Sequence, residues 1–283
     1  MRKATLLAIL VATVVVMAVP AAAQLDLPRP SPKATVAQTV GVTDITIAYC
    51  RPSVRGRVIW GGLVPYDQVW RTGANEATTI TFGDEVAIEG HELPAGTYGL
   101  FTIPGKDEWT VIFNKSAKQW GAYKYSQAED ALRIKVKPQP AAFTEVMTFS
   151  FPTVTMDSAT VALTWEKLEV PFMVQVATVP KVLAAARKAV AEAKPDDFAT
   201  PATAARFCVD NNVNLDEAKG WIEKSIAIKQ TMANLTTKAR LLALQGKKTD
   251  AIATAKKAIE VGKAADPKAD TSMVEKLIAD WQK

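Results

Sequence analysis

An antiparallel β domain followed by helical hairpins is the architecture the sequence predicts, and three observations predict it. Between Ala34 and about Val176, apolar and polar residues alternate with period two, and turn residues punctuate the runs. From Pro180 the period becomes that of amphipathic helices, and alanine, lysine and leucine replace valine, threonine and the aromatics. The helical half also repeats itself at a spacing near 34 residues. The expected organisation is a multidomain β + α chain. Residues 1–23 form a signal peptide, 24–33 an N-terminal extension, 34–177 a β-sandwich or jelly-roll-like domain, and 178–283 a tetratricopeptide-like helical domain.

The start of the chain sets the expected compartment. Arg2 and Lys3 precede an apolar run from Ala4 to Val19 that only two threonines interrupt, and Ala21-Ala22-Ala23 supplies small residues for cleavage. The mature chain is expected to begin at Gln24, because the apolar run falls short of the roughly 20 residues a membrane span needs. No cysteine lies near that point, so no lipid anchor is expected, and no later stretch is apolar enough to span. The expected location is periplasmic or secreted.

Charge and cysteine content exclude several classes. Without Arg2 and Lys3 the 34 basic residues fall to 32 against 29 acids, an excess too small to predict nucleic-acid binding. It is also uneven: residues 24–177 hold 14 basic and 16 acidic residues, and residues 178–283 hold 18 and 13. Solvated lysine-rich helix faces account for the basic half, with steering of a partner as the alternative. Cys50 and Cys208 lie one in each half. A bridge would need their Cα atoms within about 7 Å across two domains, so two buried free thiols are expected.

Within the β half, Thr43 to Tyr49 sets Ile45, Ile47 and Tyr49 on one face. Leu132, Ile134 and Val136 alternate with Arg133, Lys135 and Lys137, and Val161, Leu163 and Trp165 alternate with polar neighbours. Gly83-Asp84 reads as a two-residue hairpin turn between Thr78–Phe82 and Glu85–Glu89, and Pro104-Gly105-Lys106-Asp107 as the turn between Tyr98–Ile103 and Trp109–Asn114. Nine or ten short strands without a helical crossover fit a sandwich or jelly-roll-like barrel.

In the helical half, Ala205-Arg206-Phe207-Cys208 matches Ala239-Arg240-Leu241-Leu242 at a spacing of 34, while Asp216-Glu217-Ala218 matches Thr249-Asp250-Ala251 at 33. Ser225-Ile226 likewise lies over Ala258-Ile259, so each unit comprises two helices, at the tetratricopeptide period. Asn214 with Glu217 resembles a capping box, Asn234 is expected to start the next helix and Gly246 to end it. Met273, Leu277, Ile278 and Trp281 give a closing apolar stripe, which an array of only two repeats requires.

The densest unusual stretch runs from Tyr49 to Glu76. Arginine presents a planar fork that pairs bidentately with carboxylate or phosphate. Arg51, Arg55, Arg57 and Arg71, with Trp60, Tyr66, Trp70, Asn75 and Glu76, therefore form the candidate site for an anionic or sugar-like ligand. The plainer alternative has these arginines pairing with Asp67, Glu76, Asp84 or Glu85 to lace down a long loop. Trp109, Trp120, Tyr123 and Tyr125 read first as core packing and second as a stacking platform.

Catalytic signals are sparse. His91 is the only histidine and falls in a turn between strands, where solvation is the ordinary reading. Asp67 with Glu76 offers two carboxylates for glycoside chemistry, a pairing too common to be specific. One histidine and two separated cysteines do not make a zinc set, and no phosphate-binding glycine motif occurs, so neither metal nor cofactor is implied.

The segments SPKATVAQTVGVTDITIAYCRPSVRGR, GGLVPYDQVWRTGANEATTITF and LPAGTYGLFTIPGKDEWTVIFN resemble an uncharacterised family of exported bacterial proteins, a domain of unknown function, over Ser31 to Val176. The helical tail is similar to the tetratricopeptide-like one that often follows that domain. The resemblance implies an exported β-rich domain and no particular activity; Cys50 departs from it, since a serine or another small residue is expected before Arg51-Pro52. The leading expectation is a binding module that takes a small ligand at the arginine-rich loop and a protein or peptide on the helical repeats. An envelope hydrolase acting on glycans or peptides through Glu76, Asp67 or His91 is the alternative.

Overall fold

The structure, a computed structural model, describes residues 27–283; the expected signal peptide and its cleavage point lie outside them. Ten strands come first: β1 (Lys33–Val40), β2 (Thr43–Cys50), β3 (Thr79–Phe82), β4 (Val86–Ile88), β5 (His91–Leu93), β6 (Gly96–Ile103), β7 (Trp109–Asn114), β8 (Asp130–Val136), β9 (Gln139–Val154) and β10 (Ser158–Val176). They pair antiparallel into a six-stranded sheet of order β1-β2-β3-β6-β7-β8 and a four-stranded sheet of order β5-β4-β10-β9.

The period-two pattern fixes which faces meet. Ile45, Ile47 and Ile80 from the larger sheet and Ile88, Phe149 and Val174 from the smaller one are buried in a single core. Within it Trp70, Trp109 and Trp165 are buried, and the partly buried Trp60 packs against them, with ring centroids 5.0–6.5 Å apart. Two of these come from the segment between β2 and β3, which therefore folds into the sandwich instead of lying wholly on its surface.

Gly83-Asp84 is not a hairpin turn, because β3 and β4 belong to different sheets. Both edges of β3 are already taken by β2 and β6, so the chain must change layers to find a partner, which β10 supplies. The crossing is pinned by the Gly83 amide donating to Asp44 O at 2.9 Å and by Thr43 Oγ1 donating to Asp84 at 2.9 Å. The two-residue hairpin turn is Glu89-Gly90 instead, with both φ angles positive, and His91 opens β5 directly after it.

After Ala177 the chain is helical: α1 (Thr178–Glu192), α2 (Ala199–Asn211), α3 (Leu215–Ile228), α4 (Met232–Leu244), α5 (Lys248–Ala265) and α6 (Ser272–Gln282). Hairpins α2–α3 and α4–α5 adjoin through α4, while α1 packs on α2 and α6 on α5 at the two ends. The repeat has a packing cause: the equivalent residues Ala205 and Ala239, Ala218 and Ala251, and Ser225 and Ala258 are all fully buried. Small side chains at these places allow the helix backbones to approach.

The cap of α4 differs from expectation. Thr231 is the N-cap, its side chain accepting from the Asn234 amide while Asn234 reaches back to the Thr231 amide. Asn234 sits one turn inside because it is buried, donating to Ser225 Oγ at 3.0 Å and Lys229 O at 2.8 Å. Asn214 does precede α3, in a left-handed conformation and without a side-chain cap bond. Its side chain donates to Glu217 at 3.3 Å, and Glu217 also takes a two-pronged contact from Arg187, at 2.8 and 2.9 Å.

Candidate functional site

The outer face of the six-stranded sheet carries a cleft of about 450 Å³. Its floor follows from register: Thr35 on β1 lies beside Ala48 on β2, which lies beside Thr79 on β3. Three small side chains in a row leave the sheet surface low. The next residue across is Gly99, where a Cβ would come within 2.8 Å of the Phe101 ring and 3.1 Å of Ser116 O. Gly99 therefore lets the segment after β7 fold close over the sheet and form one wall of the cleft.

That wall is held from several sides. Asn114 Nδ2 donates to Asp130 at 2.7 Å and to Ser126 O at 3.0 Å, and the Tyr125 hydroxyl donates to Asp130 at 2.7 Å. Beneath it Phe101 and Ile112 form a small second core with Ala77. The wall's edge pairs with the segment leading into β3: Ala77 N donates to Gln119 O and Gly121 N to Asn75 O, both at 3.0 Å. Glu76 and Trp120 are thereby set opposite each other. Trp120 leaves 59 % of its surface open to solvent, and Tyr123 is more exposed still.

Glu76 is the electrostatic centre of the cleft. Its two oxygens both accept from Arg29 Nη1, at 2.9 and 3.0 Å, and it also takes the Lys33 ammonium at 3.1 Å and the Cys50 thiol at 3.3 Å. Register brings Lys33 and Cys50 to it, since they are partners on β1 and β2. The Arg29 contact is the largest cause holding the Glu76 carboxyl well below the usual glutamate range, at about 2. Burial, followed by the adjoining carboxylate, pushes the Cys50 thiol up. Cys50 and Cys208 are both free and buried.

The other residues singled out by sequence disperse. Arg51 ties the loop to β9, donating to Met147 O at 2.9 Å and to Thr148 Oγ1 at 2.7 Å. Arg57 braces its own turn through Val54 O and Ser53 O, and Arg55 reaches Pro30 O at 3.3 Å. Arg71 is half-buried, with Nε enclosed and unpartnered. Trp60 and Trp70 belong to the core cluster, Tyr66 lies against Gly61, and Asn75 donates to Ser31 O at 3.2 Å. Of the nine candidates Glu76 alone lines the cleft, and Asp67 and His91 do not.

Part of the arginine-rich loop instead fastens the segment before β1. Arg55, Asn75 and Glu76 all hold this segment, and Arg51 N donates to Pro32 O at 2.9 Å. Sequence reasoning missed Arg29, Lys33, Lys118 and Gln119, which no local pattern marks; the exposed Trp120 was visible only as one of two readings. Among the described residues no three His, Cys, Asp or Glu side chains converge as a metal-ligand set, and no helix is long and apolar enough to cross a membrane.

No curated protein and no solved structure matches the chain. A family model does, over residues 31–174, and its span runs from just before β1 almost to the end of β10 and so covers the whole cleft. The chain belongs to that family, DUF2911, described as a protein of unknown function.

Proposed function

We propose that the protein is an exported cell-envelope binding module, periplasmic or secreted, whose β domain takes a small ligand in the cleft beside Glu76 and Trp120. The observation that carries this reading is an exposed indole held on a pinned wall directly opposite a charged cluster. Ligand sites are concave, with apolar lining and a few placed polar groups, and this cleft's small floor and single carboxylate match that description. The start of the chain supports export through its charged, apolar and small-residue segments.

Binding is favoured over hydrolysis by the state of the two reactive groups. A carboxylate held at about 2 is a weak general base. A buried thiol pushed above its ordinary range is a weak nucleophile. The helical half provides a second, protein-binding surface in this reading: its two stacked hairpins have tetratricopeptide-like character, and such stacks commonly bind peptides along one face.

A thermal-unfolding screen of envelope sugars, anions and peptides tests the reading, with Trp120→Ala and Arg71→Ala alongside the parent protein. A ligand that favours the folded state raises the midpoint in a saturable way. The expected result is a shift lost in Trp120→Ala and kept in Arg71→Ala. A shift lost only in Arg71→Ala would move the site to the arginine-rich loop.

A further inference from the structure

We propose that the ligand of this cleft is an acidic sugar, a ring bearing hydroxyl groups and one carboxylate or phosphate; this rests on the reading of the cleft as a binding site. Each part of such a molecule answers to something in the cleft, and no simpler ligand answers to all of them.

The ring answers to Trp120. A largely exposed tryptophan exposes apolar surface to water at a cost, and its wide face matches the C–H face of a sugar or another flat ring. The wall that carries it is fixed through Asn114 and Asp130, so the platform is formed before any ligand arrives.

The hydroxyl groups answer to an acceptor. Gln119 Nε2 donates to Ser116 O at 2.8 Å, which settles the orientation of the amide, because turning it would set two carbonyl oxygens against each other. Gln119 Oε1 is then an enclosed acceptor with no donor. A buried acceptor left unpaired costs on the order of 1–3 kcal/mol, and a small turn of the Gln119 side chain, which lines the cleft, would let a ligand hydroxyl recover it. Glu76, ionised throughout the neutral range, lines the cleft opposite, with its lone pairs already engaged by Arg29, Lys33 and Cys50.

The anionic group answers to the charge balance. Lys33 and Lys118 line the cleft and Arg29 borders it through its contact with Glu76, the one carboxylate in the lining. Arg29 and Lys33 both neutralise Glu76. Lys118, exposed on the opposite wall, has no carboxylate partner among the described residues. A neutral sugar would leave that cation unmatched, and a plain anion would leave Trp120 and Gln119 unused.

Calorimetric titration of the purified protein with four probes tests the assignment: a galacturonic acid disaccharide, the neutral galactose disaccharide, glucose 6-phosphate and sodium acetate. At least one acidic sugar is expected to bind about tenfold or more tighter than both the neutral disaccharide and acetate. Trp120→Ala and Lys118→Ala are each expected to weaken it by a similar factor, with Lys118→Arg restoring binding. The preferred acidic probe distinguishes a carboxylate from a phosphate source.

Equal binding of the neutral disaccharide, indifferent to Lys118→Ala, would overturn the acidic-sugar assignment and leave the cleft standing as a site. So would silence from all four probes while some other compound raises the unfolding midpoint through Trp120. If Trp120→Ala alters the binding of no compound at all, the assignment and the reading beneath it fall together.

Discussion

Glu76 and Trp120 face each other across a single antiparallel bridge, with the Ala77–Gln119 and Gly121–Asn75 hydrogen bonds on either side of them. In a pair flanked by hydrogen bonds in this way the side chains lie closer than in a directly bonded pair. A carboxylate and an exposed indole are therefore presented together by the backbone, independently of any rotamer choice elsewhere. The same carboxylate gathers Arg29, Lys33 and Cys50, so one residue joins the N-terminal segment, two strands and the wall of the cleft.

Acid titration should expose this role. An unperturbed glutamate titrates at 4.5 and Glu76 at about 2 in the folded protein. A depressed folded-state value means a stabilising contribution fully present above about 4.5, which is lost as the pH falls through about 2. Because the group is partly exposed, solvent screening keeps the contribution modest. The difference in unfolding midpoint between the parent and Glu76→Gln should be largest near neutrality and shrink as pH drops across that window. A difference independent of pH would mean that the Arg29 contact contributes nothing to stability.

The thiols give a second prediction. Both cysteines are buried and both are pushed up, by desolvation first. An aromatic disulfide reagent at mildly alkaline pH should therefore titrate neither in the native protein and both after unfolding in denaturant. Rapid modification of one thiol in the native state would show that the cleft opens at Cys50 or that the first helical hairpin opens at Cys208.

The parts of the fold that were legible in the sequence are those in which one face of an element is buried. Ile45, Ile47 and Tyr49 point inward and alternate with exposed or half-exposed neighbours, and the helical repeat shows because its equivalent positions carry the same packing duty. Gly83-Asp84 was misleading because turn chemistry records how the chain bends and not which sheet the next strand joins. Trp60 and Trp70 looked like ligand contacts because they stand among polar residues, yet the segment between β2 and β3 carries them into the core. The cleft was illegible for a different reason: Arg29 and Glu76 are 47 residues apart, outside β1 and β2, and meet only once the chain has folded.

The tryptophan cluster should dominate the stability of the β domain. Trp165 is buried and packs on Trp60 at 5.7 Å and on Trp70 at 5.9 Å, the latter pair stacked. Trp165→Ala is expected to cost about 3–5 kcal/mol in denaturant unfolding, as large aromatic truncations in cores do. Trp165→Phe should cost clearly less, since it keeps a ring and removes an indole N–H that has no acceptor. Equal costs for the two variants would point to the fused ring's shape as the whole of the effect.

Gly41 marks the junction between the β domain and the first helix, and it offers the sharpest test of that contact. Its φ of +58° places it in the left-handed region, and a Cβ there would fall 1.9 Å from Thr178 Oγ1 and 2.6 Å from Met156 O. Thr178 cannot turn aside freely, because its hydroxyl donates to that same Met156 carbonyl at 2.6 Å. Gly90 supplies the control: its φ is +81°, and a Cβ there would meet nothing within 4 Å. Gly90→Ala should therefore carry only the backbone cost of roughly 1–2 kcal/mol. Gly41→Ala should carry that cost and a steric one besides, lowering the unfolding midpoint further. Thr178→Ala placed on top of Gly41→Ala should return part of the loss, since it removes the closest of the opposing atoms and the two sites are in contact. If Gly41→Ala costs no more than Gly90→Ala, the turn between β1 and β2 can move away from the start of α1, and the junction is not a rigid part of the fold.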